Sequence, residues 1–271
     1  MAKDKTNAGE QLTLPLWANV DRAAPSQIVR SSLFGIVKKG RRKMMKGEEI
    51  ASWSGTTITY QGEQLGQGDF DAWLQCLEIA KNRGVDEDIQ FEAKDFLAAI
   101  GKPHGASQYK WLNTTLDRIV SGHLRVFEAG KLTYSGHLID RFRSKNRIYL
   151  LRINSELADL FDSSYTRILL ETRLALKSDL AKWMHSYVSS HRATPHSPHM
   201  IGLDKLCVLC GSGSNKREFK RMIKQSMERL QYENVVRTWE LRGDILQFVK
   251  SDPSADISEE EFNAIGITHT Q

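Results

Sequence analysis

The chain has few cysteines and no long apolar run. Its 271 residues include three cysteines, an odd number that does not indicate a disulfide framework in a chain of this size. The first residues begin no apolar signal core, and no segment approaches the roughly 18 apolar residues that a membrane-spanning helix needs. These absences predict a protein of a reducing compartment, the cytoplasm, without a membrane role.

Sequence signatures of several enzyme classes are also missing. Residues 211–216 lack the Gly-Lys-Ser/Thr ending of a phosphate-binding loop, and no such loop occurs elsewhere. His196 and His199 do not form the His-x-His pair of a nicking endonuclease, and no cluster of carboxylates is visible. Cys207 and Cys210 form one Cys-x-x-Cys without a second pair, so we expect packed thiols and no zinc. We therefore expect no enzyme activity, no metal and no cofactor.

The sequence does contain one pattern twice: a helix, a glycine-containing turn, a second helix with a polar face, and a hairpin. In the clearer, second copy a helix is predicted at 203–209, and residues 210–214 end it with turn chemistry. The next helix has an inward stripe at helical spacing, formed by Phe219, Met222, Ile223, Met227 and Leu230. Strands are predicted at 235–241 and 244–249, with Arg242 and Gly243 in the turn.

The first copy covers residues 91–135. Helices are predicted at 91–100 and 107–121, and the hairpin at 123–128 and 131–135, with a third strand at 147–153 packing on that hairpin. Together the copies predict an α+β fold of two tandem winged-helix domains, mostly helical with small antiparallel hairpins as wings. The expected divisions are a flexible tail at 1–27, domains at 28–153 and 154–252, and an acidic tail at 253–271.

Charge is segregated along the chain although the net charge is only +5. A basic run lies near residue 40 and an acidic tail at the end, which suggests a polyanionic partner. A helix fits the major groove, where Lys and Arg neutralise phosphates and read guanine edges. We therefore predict DNA contacts from the second copy at Ser214, Asn215, Lys216, Arg217, Lys220, Arg221, Lys224 and the wing residue Arg242. The alternatives are a solvated basic face or a domain that contacts only proteins.

The first copy has a less basic helix face, which we predict to bind either DNA or a second copy of the protein. Its candidate residues are Ser107, Gln108, Lys110, Thr114 and Arg118. The basic run is a candidate phosphate-contacting arm through Lys38, Lys39, Arg41, Arg42 and Lys43, and the alternative is a solvated loop without a specific role.

One apolar burst interrupts the polar N-terminal segment. Gln11, Leu12, Leu14 and Leu16 follow the spacing Gln-Leu-x-Leu-x-Leu, which looks like the peptide by which bacterial proteins dock on the sliding clamp of DNA polymerase. The alternative is a staple that packs on its own domain.

Taken together, the chain resembles the TrfA family of broad-host-range plasmid replication initiators. The resemblance covers about residues 28–250, and the segments that carry it are 31–34, 58–65, 69–77 and 153–161. It implies a protein without an ATPase that binds direct repeats, called iterons, at a plasmid origin. It further implies binding to one strand of the melted origin, contacts with the host helicase, host initiator and clamp, and an inactive dimer with an active monomer. The alternative function is a winged-helix repressor of its own operon.

Overall fold

A computed structural model describes residues 14–37, 40, 42–53, 55–81 and 87–251. In this part of the chain the helices are α1 (Ser26–Val29), α2 (Gln67–Ala80), α3 (Ala93–Ala99), α4 (Ala106–Ser121), α5 (Leu157–Ser163), α6 (Leu170–Ala175), α7 (Asp179–Ser189), α8 (Leu203–Leu209) and α9 (Lys216–Tyr232). The strands are β1 (Asp21–Pro25), β2 (Phe34–Gly35), β3 (Met44–Ile50), β4 (Thr56–Glu63), β5 (Leu65–Gly66), β6 (Ile89–Glu92), β7 (His123–Glu128), β8 (Lys131–His137), β9 (Ile139–Lys145), β10 (Ile148–Ile153), β11 (Tyr165–Leu169), β12 (His199–Gly202), β13 (Val236–Arg242) and β14 (Ile245–Lys250).

The second unit combines three helices with a three-stranded antiparallel sheet. Its elements follow one another as α7, β12, α8, α9, β13 and β14, and the strand order in the sheet is β12-β14-β13. His199 of β12 lies opposite Phe248 of β14, and Arg242 of β13 lies opposite Ile245. The predicted helix at 203–209 and the hairpin after α9 are confirmed. Strand β12, which completes the sheet, was not predicted.

The first unit repeats this order of elements. It contains α2, β6, α3, α4, β9 and β10, and its strand order is β6-β10-β9. Leu151 of β10 lies between Ile89 of β6 and Phe142 of β9. The hairpin β9–β10 therefore occupies the place in the first unit that β13–β14 occupies in the second.

The prediction that the first copy's hairpin lies at 123–135 was wrong about its sheet. Strands β7 and β8 pair with each other, but they belong to the four-stranded sheet β3-β4-β7-β8, in which Thr59 lies opposite Arg125. The strand predicted at 147–153 pairs with β6 and β9 instead of packing on that hairpin. Alternation along a strand shows which residues share a face, but it does not identify the partner strand.

The fold is also richer in strands than the mostly helical prediction. Because the four-stranded sheet and the β9–β10 hairpin both precede residue 154, strands occupy nearly as many of the described residues as helices do.

The N-terminal segment is packed from residue 14 onward, so the prediction of a flexible tail through residue 27 was wrong for this part. Strand β1 pairs antiparallel with β11, with Ala23 opposite Arg167. Leu14, Ala23 and Ala24 are buried. Two alanines and one leucine produce little apolar periodicity, which is why the sequence pattern did not predict this two-stranded ribbon of β1 and β11. Residues 1–13 and 252–271 lie outside the described residues.

Two clusters of apolar side chains form the core. The first extends along the chain to Ile168 and includes Leu157, Leu160 and Phe161 of α5, whereas the second begins at Leu176. Helix α5 therefore packs with the first unit, and the core divides later in the chain than the boundary predicted at residue 154.

A buried ion network joins the two units. Asp71 of α2 accepts hydrogen bonds from Arg173 Nε of α6 at 2.7 Å and from Lys182 Nζ of α7 at 2.6 Å. The Arg173 side chain is fully buried and also donates to Gln67 Oε1 at 2.9 Å and Ser186 Oγ at 3.1 Å. Because every one of these groups is paired, the charges can be kept away from water.

Replacing Asp71 with alanine is expected to destabilise the protein by about 3–5 kcal/mol, because Arg173 would remain buried without its carboxylate. The free energy of unfolding in urea measures this loss. Asp95→Ala removes an exposed carboxylate from α3 and is the matched control. A loss for Asp71→Ala as small as that of the control would contradict a structural role for the network.

Candidate nucleic-acid interface

Helix α9 separates an apolar stripe from a cationic face. It begins where Asn215 Oδ1 accepts a hydrogen bond from the backbone N–H of Glu218 at 2.9 Å. The preceding Ser214 is half-buried, and its hydroxyl donates to the sulfur of Met222 at 3.8 Å. The inward stripe is confirmed, since Phe219, Ile223, Met227 and Leu230 are buried.

The first two lysines of α9 are paired with carboxylates. Lys216 Nζ lies 2.6 Å from Asp244 Oδ2 and 3.7 Å from Asp204 Oδ2. Lys220 Nζ donates to the carbonyl of Gly243 at 2.6 Å and lies 3.5 Å from Asp244 Oδ1. The hydrogen bond from Lys216 holds the pKa of the Asp244 carboxyl below its ordinary value. These pairs connect the helix to the turn of the β13–β14 hairpin.

The remaining predicted cations of α9 differ in how they are held. Arg221 Nε donates to Glu218 Oε2 at 3.1 Å and Arg221 Nη1 to Gln225 Oε1 at 3.0 Å. Arg217 and Lys224 are exposed and make no ion pair with any residue that the structure describes. These two side chains are therefore the most available phosphate ligands on the helix.

The β13–β14 hairpin carries one more predicted cation, at the end of β13. Arg242 is exposed, and its Nε lies 2.8 Å from Glu240 Oε1. The following Gly243 has a φ of +60°, a conformation that suits glycine and keeps the turn tight. The hairpin thus projects an arginine beside the N-terminal half of α9.

Helix α4, the corresponding helix of the first unit, has an exposed polar face. Ser107, Lys110 and Thr114 are exposed, and Gln108 is half-buried. The helix is held on β10 because the hydroxyl of Tyr149 donates to Asn113 Oδ1 at 2.7 Å.

Two predicted DNA contacts of the first unit, Arg118 and Arg42, serve an internal ion cluster. The carboxylate of Asp69 is buried and lies 2.9 Å from Arg42 Nη1, and its other oxygen accepts from Arg118. Arg118 Nε also lies 3.1 Å from Glu63 Oε2. Because their shared partner Asp69 is buried, the two guanidinium groups are held inside this cluster and do not belong to the exposed cationic surface. The spacing of polar residues in α4 did not predict this ion cluster, because spacing within one helix does not show that Arg118 faces α2 and β4.

The rest of the predicted basic arm is described only in part. Lys43 is exposed immediately before β3, and Lys38, Lys39 and Arg41 lie outside the described residues.

The β9–β10 hairpin carries cations that the sequence prediction missed. Arg143 and Lys145 are exposed, and the side chain of Arg143 retains 71% of its accessible surface. The guanidinium of Arg147, in the turn, lies 4.7 Å from the ring centre of Tyr109 on α4. Arg141, Arg143 and Lys145 alternate along β9, and this alternation of cations is the signal that could have found them.

We expect the double replacement Arg143→Ala with Lys145→Ala to weaken binding to any duplex. With fewer phosphate contacts, binding releases fewer counterions from the DNA and loses part of its driving force. A plot of log affinity against log salt concentration has a negative slope, and its magnitude should decrease by about 0.9 per lost contact. Lys131→Ala with Lys177→Ala removes two other exposed lysines and is the control. An unchanged slope would exclude this hairpin from the interface.

The clamp-like segment is divided between core and solvent. Leu14 is 2% exposed, whereas Leu16 is 74% exposed. Trp17 Nε1 donates to Glu78 Oε2 at 2.7 Å, which fastens the segment to α2. Gln11 and Leu12 lie outside the described residues. The alternative hypothesis, a staple that packs on the chain's own domain, agrees with the burial of Leu14 but not with the exposure of Leu16.

Both thiols of the second unit, and His191 and His199, pack on protein groups. Cys210 is buried, and burial raises the pKa of its thiol to about 12. The hydroxyl of Tyr187 lies 3.0 Å from His199 Nε2, and burial lowers the pKa of His199 to about 4 and that of His191 to about 3. Within the described residues, no group of three or more His, Cys, Asp or Glu is arranged to hold a metal ion. None of the described helices is long and apolar enough to cross a membrane.

The described chain is thus a mixed α/β protein of two units that share one order of helices and strands. It belongs to the TrfA family, whose model, described as TrfA protein, matches residues 7–249. No curated protein matches the chain.

Solved structures of RctB share the fold at low sequence identity. Domains 2 and 3 of RctB are 13% identical, with a TM-score of 0.60 over 84% of this chain and 99% of that chain. A second structure of the same RctB domains is 14% identical, with a TM-score of 0.51 over 80% of this chain and 95% of that chain. The Pi initiator protein in complex with iteron DNA is 12% identical, with a TM-score of 0.46 over 67% of this chain and 91% of that chain.

Proposed function

We propose that this protein is a plasmid replication initiator that binds iteron repeats at its origin. One observation carries the proposal: in a chain of the TrfA family, a capped helix exposes Arg217 and Lys224 beside a hairpin that projects Arg242. The second unit acts as a winged helix in which α9 is the recognition helix and β13–β14 the wing.

The physical case for α9 rests on its first turns. The N-terminal backbone N–H groups and the helix dipole favour a phosphate there. Arg217 can donate two hydrogen bonds to the edge of a guanine, and Lys224 can neutralise a phosphate further along the helix. The partners of Lys216, Lys220, Arg221 and Arg242 are exposed enough for these cations to exchange them for DNA.

The first unit contributes phosphate contacts or a surface for a second copy. Its exposed polar residues on α4, with Arg143 and Lys145 on the β9–β10 hairpin, form a second surface of the same design. The TrfA resemblance implies an inactive dimer and an active monomer. Both states follow if this one surface binds either DNA or a second copy of the protein.

Strand opening follows binding in this proposal. The sequence has no phosphate-binding loop, so melting draws on binding energy, DNA bending and the host initiator, and the protein is not an enzyme. The protein then binds one melted strand and brings in the host helicase. These steps place it in the bacterial cytoplasm, associated with its plasmid.

The decisive experiment is a band-shift titration against the repeat-containing origin of the chain's own plasmid, with scrambled duplex as competitor and salt varied. We expect stepwise complexes, one for each repeat. Binding only to an inverted repeat in a promoter would favour the repressor, and equal binding to every duplex would exclude both functions.

Within this experiment, Arg217→Ala with Lys224→Ala should weaken repeat binding by at least about tenfold, since a good base contact contributes roughly 1–3 kcal/mol. Lys131→Ala with Lys177→Ala changes the net charge equally and serves as the control. Unchanged affinity of the first variant would remove α9 as the recognition helix.

The N-terminal segment is proposed to dock on the sliding clamp through Gln11, Leu12, Leu14 and Leu16. Leu16 is exposed and ready for a hydrophobic pocket, whereas Leu14 has to leave the core first. Docking therefore competes with folding of this segment, which lowers its affinity relative to a disordered peptide of the same sequence.

The variant Gln11→Ala with Leu16→Ala should lose capture by purified bacterial sliding clamp and keep duplex binding, because neither side chain carries a charge that could bind a phosphate. Val20→Ala, which trims another exposed apolar side chain, should retain capture. Clamp capture by the double variant would refute docking through this motif.

A further inference from the structure

Asp244 places a negative charge inside the cationic surface. It follows Gly243 in the turn of the β13–β14 hairpin, and its two carboxylate oxygens face two lysines of α9, at 2.6 Å from Lys216 Nζ and 3.5 Å from Lys220 Nζ. Its backbone carbonyl accepts from the N–H of Leu203 at 2.8 Å, so the main chain of the turn is held independently of the carboxylate.

The pairs formed by Asp244 are open to solvent. The side chains of Asp244, Lys216 and Lys220 retain 46%, 54% and 37% of their accessible surface. Exposed pairs of this kind add little stability and exchange partners readily. The carboxylate of Asp244 therefore contributes little to the stability of the fold. Its main effect is on ligand binding, because it neutralises two cations of the proposed interface.

Duplex DNA offers a carboxylate few favourable contacts. Phosphate and deoxyribose oxygens only accept hydrogen bonds, and phosphates repel the charge. The donors of DNA are amino groups on base edges, and the amino group of cytosine in the major groove is the one that Asp and Glu accept from. In a complex made of phosphate contacts alone, the phosphates therefore repel the carboxylate of Asp244. In a complex in which the wing and α9 reach base edges, the carboxylate can accept a hydrogen bond from a base.

We propose that Asp244 is a specificity-determining residue, which opposes binding to arbitrary duplex more strongly than binding to the cognate repeats. The inference rests on the proposed function of α9. In the unbound protein Asp244 holds Lys216 and Lys220, and each phosphate contact by these lysines has to displace it. Non-specific complexes consist mainly of such contacts, so they bear the larger part of the cost.

The test compares the full chain with its Asp244→Asn variant on a duplex with one repeat and on a scrambled duplex of equal length, by fluorescence anisotropy over a salt series. Asparagine keeps the size and a hydrogen-bonding oxygen but removes the charge. We expect affinity for the scrambled duplex to rise about tenfold and affinity for the repeat to rise less, so that the ratio of the two affinities falls at least about threefold.

Two control variants separate the position of the charge from its amount. Asp162→Asn removes one exposed carboxylate from α5 and should leave the affinity ratio unchanged. Asp204→Asn removes the more distant partner of Lys216, at 3.7 Å, and should have a smaller effect than Asp244→Asn.

The outcomes distinguish this proposal from the function on which it rests. A wild-type protein that does not prefer the repeat overturns the proposed function itself. If the wild-type protein prefers the repeat and Asp244→Asn leaves the ratio unchanged, or lowers affinity for both duplexes equally, only the role of Asp244 is overturned. The latter result would show that the carboxylate serves to fasten the wing to the helix.

Discussion

The carboxylate of Asp71 is the constraint on which the arrangement of the two units depends. It lies on α2, the first helix of the first unit, and binds Arg173 and Lys182, which come from α6 and from α7, the first helix of the second unit. Two buried charges, Asp71 and Arg173, with the half-buried Lys182 allow few alternative positions of the two helices. This junction therefore contributes to the spacing between α4 and α9.

The same kind of side chain serves two purposes in this chain, and burial decides which. Arg118 and Arg173 have buried carboxylate partners and stabilise the packing of helices, whereas Arg143 and Arg217 are exposed. Removing one partner of a buried pair destabilises the fold, whereas an exposed cation contributes little to stability and remains available to a ligand. The modest net charge of +5 therefore understates how cationic the exposed faces of α9 and the β9–β10 hairpin are.

Local patterns predicted the second unit well because its signals lie close together in the sequence. The stripe at Phe219 to Leu230 and the turn at Gly243 define α9 and its hairpin without any distant contact. The first unit was harder, since two hairpins follow α4 and only long-range pairing decides that β10 joins β6. Arg118 and Leu14 were misjudged for a related reason: whether a side chain is buried depends on elements far away in the sequence. Family resemblance, by contrast, was recognised from short segments alone and is confirmed.

The burial of Leu14 and Trp17 links the N-terminal segment to the state of the whole first unit. Trp17 stacks on Phe161 of α5 with 6.1 Å between ring centres, and β1, a few residues later, pairs with the strand that leads directly into α6 and Arg173. Any ligand that captures Leu14 must draw on the free energy that holds this ribbon in place. By reciprocity, loosening of the ribbon raises the affinity for such a ligand. Release of the N-terminal segment is thereby coupled to the packing at the junction between the units.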